Sequence, residues 1–535
     1  MTKIEDADPY TLDIPPKNDS THSIQVVHHI QLPEDNKLPR SYTYSEALEL
    51  IGTGKFHTLL LFVSGFCLMS VINETLNMGF IISAAECDLA LSFRDKGMLN
   101  GSAFLGVVVS SHWWGFISDT RGRRKVMVIA TLFSLIFSIV SAFSIHVWML
   151  IATRFCVGFF ISGNAATVYA YLAEFHTEKS RGPAISWAAS FMAVGMIFLP
   201  ALAWCIIPLD SKVDLYIDAL EMRFGLWRVY IMLTSFSSLI ILGGIFLLPE
   251  SSKFLLNKGQ NEQVLQIMQK MYRWNRGSSS HPFPVKSIEL DPIDKVYATE
   301  MERKSSMGLR YIWEQTVPLF KGPLLGNTLK ASFLMFGLFM ASSGMLMWIT
   351  DLLNLYIHYR DQSITICKVV DIIHYNKTTT SSDDSELQCT TEIDSNIFVI
   401  TTFMGVIFLL CYIINGVVIN KIGKRNLLNL WNVISGISCV LVLWTSNFYL
   451  TQLVLVIYMC IGCCGSVLSA ISVDLFPTNY RAMALCLILM TGRFGAMVGS
   501  NLVGFLLTYN CDAIFIFMGA LMIVCALVGL SLPRE

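Results

Sequence analysis

Charge is what this sequence has least of. Only 14% of its 535 residues are Asp, Glu, Lys or Arg, against roughly 25% in average soluble domains. A water-soluble chain of this length would need far more polar surface. The formal net charge is −1 and no long basic run occurs, which argues strongly against a nucleic-acid binder that works by neutralising phosphates. Cysteine is sparse too, with 14 residues in all, which disfavours a disulfide-stapled secreted fold. No phosphate-cradling G-x-x-x-x-G-K-S/T loop is present, so ATP-driven pumping is not expected. No Ser/His/Asp or paired-Cys arrangement supports catalysis, and no cofactor is implied. Residues 1–55 hold no apolar run long enough for a signal peptide.

What is abundant is apolar. Hydrophobic residues make up 54% of the chain, with 34 Phe, 35 Gly, 25 Met and 11 Trp, and the mean hydropathy is +0.56. A bilayer core needs roughly 20 apolar residues per helix. Runs of that kind fall at 57–83, 99–117, 126–145, 148–172, 184–207 and 228–248, then at 331–350, 396–419, 427–446, 450–473, 482–507 and 513–532. This predicts an all-α membrane protein with 12 transmembrane helices in two six-helix halves. The expected divisions are a cytosolic tail over 1–55, a first half over 56–248, a central cytosolic loop over 249–329 and a second half over 330–532. The tail carries Asp8-Pro9 and Pro15-Pro16, which favour turns. It reads as disordered to about Ser41, followed over Ser45–His57 by an amphipathic helix on the membrane surface or by a plain tether.

The charges set the orientation. The central loop Pro249–Leu329 holds 11 Lys/Arg, and the four short loops on its side hold 10. The opposite connections hold about eight, so both termini are expected in the cytosol. The largest outward loop, 351–395, contains the glycosylation acceptor Asn376-Lys377-Thr378. It also contains Cys367 and Cys389, and a bridge between them would close a loop worth roughly 3 kcal/mol. Cys460, Cys463 and Cys464 lie mid-membrane with no His nearby and read as close packing, not as a metal site.

The stretch Gly115-Phe-Ile-Ser-Asp119-Thr-Arg-Gly122-Arg123-Arg124-Lys125 follows span two. It fits G-x-x-x-D-x-x-G-R-R/K and resembles the loop motif of the major facilitator superfamily. Gly115 is expected to let helices approach, Gly122 to make a tight turn, Asp119 to cap or pair, and Arg123 and Arg124 to anchor at headgroups. The second-half counterpart, Gly416 to Arg425, has Asn420 where the acid would stand, before Lys424 and Arg425. Arg154…Gly158, Glu174…Arg181-Gly182, Pro249-Glu250-Ser251-Ser252-Lys253 and Asp474-Leu-Phe-Pro477…Arg481 resemble signatures shared by sugar porters, organic ion transporters and the synaptic vesicle glycoprotein 2 group. The resemblance to the last group runs from Glu46 over nearly the whole chain. Ser252, Lys253 and Asp474 depart from the shared pattern. The outward loop of about 45 residues is too short for the folded luminal domain of the vertebrate members. The resemblance implies a latch near the cytosol made of Gly115, Asp119, Gly122, Arg123, Arg124, Glu174, Arg181, Glu250, Lys424, Arg425, Asp474 and Arg481.

In such a fold the substrate sits near the midplane, where ionisable residues are functional candidates. Glu74 lies in span one with Asn73 and Asn77 beside it. It either exchanges a coupling proton or forms a structural bridge to Arg154 or Arg493. Relatives often carry a second acid three positions earlier, where this chain has Val71. Arg493 in span eleven resembles a basic position of organic ion transporters and suits an anionic or zwitterionic substrate, or a lock onto Glu74. Trp187, Tyr412 and Asn415 are candidate cavity walls. The leading expectation is a monomeric secondary transporter of a small polar organic solute or organic ion, working by alternating access in a plasma or vesicle membrane. The alternative is a non-transporting vesicle-membrane scaffold or receptor-like protein of the same fold.

Overall fold

The computed structural model describes residues 42–212, 216–217, 222–277, 283–289, 310, 313, 316–322, 324–372, 394–476 and 478–533. The expected disordered tail, Asn376 and Cys389 lie outside the described residues. Helix α1 (Tyr44–Ile51) opens under a capping box: Thr43 Oγ1 accepts from the Glu46 amide at 3.4 Å, and Glu46 Oε2 accepts from the Thr43 amide at 3.0 Å. It stops at Gly52, short of the expected Ser45–His57. Its apolar side, Ala47, Leu48 and Ile51, packs on protein and not on a membrane surface.

The first half runs through α2 (Lys55–Leu76), interrupted at Asn77 and continued as α3 (Met78–Leu89), then α4 (Phe93–Arg121), α5 (Arg123–Ala142), α6 (Val147–Glu174), α7 (Glu178–Ile206), and α8 (Leu226–Thr234) with α9 (Phe236–Leu247). The segment expected as a plain loop after it carries two helices, α10 (Ser252–Asn257) and α11 (Asn261–Arg276). The apolar side of α11, with Val264, Met268 and Met271, is buried in one cluster with α1 and the start of α2. Asn275 ties the three together: its Nδ2 donates to Gly52 O at 2.9 Å and its Oδ1 accepts from the Phe56 amide at 3.1 Å. Tyr42–Thr43 pairs in parallel with Ile288–Glu289 alongside.

The second half follows as α12 (Leu324–Leu346), α13 (Ile349–Ile357), α14 (Ser395–Ile422), α15 (Lys424–Leu441), α16 (Phe448–Met459), α17 (Gly465–Leu475), α18 (Thr478–Tyr509) and α19 (Cys511–Leu530). A tighter turn over Cys460–Cys464 joins α16 to α17. Among the described residues, eleven helical stretches are long and apolar enough to cross a membrane. The twelfth expected span is α4, which has the length but carries Asn100, Ser110, Ser111 and His112. Helices suit this setting because they satisfy every backbone polar group internally.

Small residues let the helices touch. A Cβ on Gly106 of α4 would stand 2.2 Å from Phe155 O, and one on Gly158 of α6 would stand 2.0 Å from Ala103 O. Gly115, expected to serve this purpose, faces open space. The halves meet along two seams, α4 with α18 and α7 with α14. One membrane face carries the basic turns around Arg121–Lys125 and Lys424–Arg425, and is called the basic face below. The other carries the long connection after α13, and is called the loop face.

At the loop face Cys367 is bridged to Cys511, with Cα atoms 5.3 Å apart and a sequence separation of 144. The expected Cys367–Cys389 bridge is therefore not formed. The fold brings the first residue of α19 to the segment after α13, and that proximity overrides nearness in sequence. Cys87 is also disulfide-bonded.

Candidate functional site

Inside the first half, the last turn of α2 presents Asn73 and Glu74, the interruption after it presents Asn77, and α6 presents Arg154. Arg154 Nη1 lies 3.2 Å from Glu74 Oε2 and 3.4 Å from Asn77 Oδ1, and Nη2 donates to Ser141 Oγ at 2.8 Å. Ser138 of α5 donates to Glu74 Oε2 at 2.9 Å and accepts from Ser235 at 2.6 Å. Asn77 Nδ2 donates to Thr234 Oγ1 at 3.3 Å. Both charged side chains are fully buried. Either charge alone would be costly there, so each depends on the other. Of the two partners open to Glu74 in the sequence, the structure takes Arg154. Asn73 faces away from this pair: its Oδ1 lies toward Gly195 of α7, and neither amide atom has a hydrogen-bond partner among the described residues.

Arg493 stands apart from Glu74, on the seam between the halves. It projects from α18, and its Nη1 donates to Ser111 Oγ of α4 at 3.1 Å. Tyr169 of α6 lies within electrostatic reach of it. Tyr412 of α14 lies in turn within reach of Tyr169, Cys463 and Cys464. The cluster thus draws side chains from both halves. Among the described residues, no carboxylate forms an ion pair with Arg493. A guanidinium held by a hydroxyl keeps its paired N–H groups for a carboxylate or phosphate. Towards the loop face, Leu76, Phe80, Met196, Leu346, Met404 and Phe408 line a small apolar pocket between the halves, of about 30 Å³. Two expected wall residues lie elsewhere. Asn415 Oδ1 accepts from Trp431 Nε1 at 2.9 Å within the second half, and Trp187 is 66% exposed on α7.

At the basic face, α4 ends and α5 begins at Gly122, whose backbone (φ 110°, ψ 147°) is one that only glycine adopts readily. The next residue, Arg123, bonds back to Asp119 and reaches Glu174 at the end of α6, with Nη2–Oε1 at 2.9 Å. Ser251 also donates to Glu174. Glu250 caps the start of α5, accepting from the Arg124 amide at 2.8 Å and the Lys125 amide at 3.4 Å. The Arg124 side chain donates to Ile245 O at 3.0 Å, so it anchors on α9 and not on headgroups. Arg181 stays outside this web. It is exposed, and with His176 and Lys253 it lines a cavity of about 190 Å³. Burial, aided by the Arg181 charge, holds His176 below its ordinary pKa. In the second half the corresponding turn is Gly423 (φ 84°, ψ 146°). There Lys424 Nζ lies 2.6 Å from Asp474 Oδ2, and Arg425 donates to Leu530 O. The Arg481 side chain lies outside the described residues.

Residues 57–326 match the family described as sugar (and other) transporter, and residues 389–535 match the major facilitator superfamily. The chain is similar to synaptic vesicle glycoprotein 2A of Rattus norvegicus, 31% identical over 245 residues, which is 46% of this chain and 33% of that protein. It is also similar to synaptic vesicle glycoprotein 2C of Mus musculus, 26% identical over 352 residues, covering 63% of this chain and 48% of that protein. The chain thus spans a third to a half of the curated relatives it matches. Among solved structures, the inward-open xylose transporter of E. coli superposes with a TM-score of 0.63 at 15% identity, over 90% of this chain and 97% of that one. A D-xylose–proton symporter gives 0.60 at 14% identity, over 90% and 99%. At such identity these likenesses establish the fold alone.

Proposed function

The chain belongs to the sugar (and other) transporter family, and on that premise we propose that it is a secondary transporter of a small organic anion or zwitterion, working as a monomer by alternating access. The observation that carries the substrate class is Arg493. It stands on the seam between the halves, bonded to Ser111, with no carboxylate partner among the described residues. A substrate carboxylate or phosphate would take its paired N–H groups. Glu74 serves as the coupling group: losing its proton would strengthen the bond to Arg154 and tighten α2 against α6. The Asp119–Arg123–Glu174 web stiffens the basic face while the halves rock.

The positive-inside bias puts the basic face in the cytosol, and the Cys367–Cys511 bridge at the opposite face fits an oxidising lumen or exterior. The test is uptake into vesicles reconstituted with the full chain, across a panel of organic anions, cations and neutral sugars. Anion uptake is expected, reduced at least about tenfold by Arg493→Ala. Glu74→Gln is expected to abolish the response to a pH gradient. Uptake that survives Arg493→Ala unchanged overturns the substrate class. A panel with no Arg493-dependent flux favours the scaffold reading, which the Val71 and Asn420 departures also fit.

A further inference from the structure

The loop face is closed by charges that belong neither to the Glu74 pair nor to the Arg493 cluster. Lys96, in the first turn of α4, is 2% exposed. Its Nζ lies 2.8 Å from Glu86 Oε2 of α3 and 3.0 Å from each carboxylate oxygen of Asp351 on α13. Asp351 is itself 3% exposed and accepts from Ser83 Oγ of α3 at 3.2 Å. The surrounding seam is tight. Asn100 donates to Met347 O at 3.3 Å, and a Cβ on Gly79 would stand 3.2 Å from that same carbonyl. Trp348, fully buried, stacks on Phe93 at 6.2 Å and donates to Ser500 O at 2.8 Å.

The way these groups divide between the halves gives the cluster a direction. Lys96 and Glu86 sit on adjoining helices of the first half and move together. Asp351 belongs to the second half. Separating the halves at this face breaks the Lys96–Asp351 contact and spares the Lys96–Glu86 contact. We propose that Lys96–Asp351 is the latch that holds the loop face shut, and that Glu86 competes for the same ammonium and sets how easily the latch releases. This rests on the alternating-access reading above and deepens it. Two substitutions then act in opposite senses. Asp351→Asn removes the attraction across the seam and favours opening. Glu86→Gln leaves Lys96 with a carboxylate only across the seam, so closure is favoured.

Hydrogen–deuterium exchange of the full chain in lipid nanodiscs reads this directly. Asp351→Asn and Lys96→Met are expected to raise exchange over 78–100 and 347–357, by roughly tenfold or more in the opening ratio. Exchange over 119–125 and 174–181 falls as the basic face closes. The double variant goes no further than either single one. Glu86→Gln lowers exchange at the loop face. Ser83→Ala, which removes only one hydrogen bond to Asp351, moves the same segments as Asp351→Asn by less and covers the case in which the charge variants do not fold. Exchange that rises equally at both faces, or a Glu86→Gln shift in the same sense as Asp351→Asn, overturns the latch. The measurement needs no substrate. Failure of the transporter reading would appear separately, as absent flux beside an intact latch response.

Discussion

The two halves make the same turn at the basic face and secure it differently. Each joins two helices through one glycine at positive φ, Gly122 in the first half and Gly423 in the second. Beneath the first turn pass the end of α6 and the segment after α9; they bring Glu174 onto Arg123 and Glu250 onto the start of α5, with Ser251 donating to Glu174. The Arg123–Glu174 pair is 13% and 14% exposed. Beneath the second turn, Lys424 meets Asp474 at 30% and 56% exposure, and Arg425 finds a backbone carbonyl. A repeated motif therefore does not fix a repeated function: what passes under the turn decides whether it is an anchor or a surface contact.

The largest effect expected from this difference is in the arginine. Arg123→Ala leaves the Glu174 carboxylate, 14% exposed, without its guanidinium partner, at a cost of about 3 kcal/mol. Lys424→Ala breaks a largely wetted pair and costs under about 1 kcal/mol. Thermal unfolding of the purified protein in one detergent, both variants side by side, measures the gap. Equal losses would mean that the two turns are secured alike. A smaller contrast lies in the glycines. Gly122→Ala and Gly423→Ala both force a side chain into a backbone shape that disfavours it, at about 1 kcal/mol or more. A Cβ at Gly122 also stands 2.7 Å from Glu250 Oε2, whereas one at Gly423 meets nothing within 4 Å. Gly122→Ala should therefore unfold at the lower temperature, and adding Glu250→Ala should narrow the difference by removing the crowding.

The helices were legible because lipid demands long apolar runs and nothing in water imitates them. The runs placed the spans but not their ends. α4 begins at Phe93, not near 99, and that extra length carries Lys96 into the protein. In the sequence Lys96 lies before the run at 99–117 and Asp351 just past the run at 331–350, so both fall outside the expected spans. Their contact joins residues 255 apart, which no local pattern displays. The only available signal was one cation and one acid at the loop-face ends of spans from opposite halves. Glu74 and Arg154 were legible as candidates because charge inside a span is rare, but the choice of partner required the packing of α2 against α6. Cys511 escaped notice. It lies just before the run at 513–532, in a short connection that holds no second cysteine to pair with.

The smallest change asks which missing part makes the second turn weak. Asn420 stands four residues before Lys424, as Asp119 stands four before Arg123. Asn420→Asp would restore the acid and add a surface pair across the Gly423 turn, worth under about 1 kcal/mol. Lys424 is already engaged by Asp474 at 2.6 Å, so the new carboxylate would share an ammonium that has a partner. Arg123 differs because its planar group reaches Asp119 and Glu174 at once, each through its own N–H groups. If Asn420→Asp raises the unfolding temperature only marginally, the second turn is weak for want of a forked donor and of partners such as Glu250. If it recovers most of the gap between Lys424→Ala and Arg123→Ala, the acid alone was lacking, and the partners from α6 and the segment after α9 matter less than their geometry suggests.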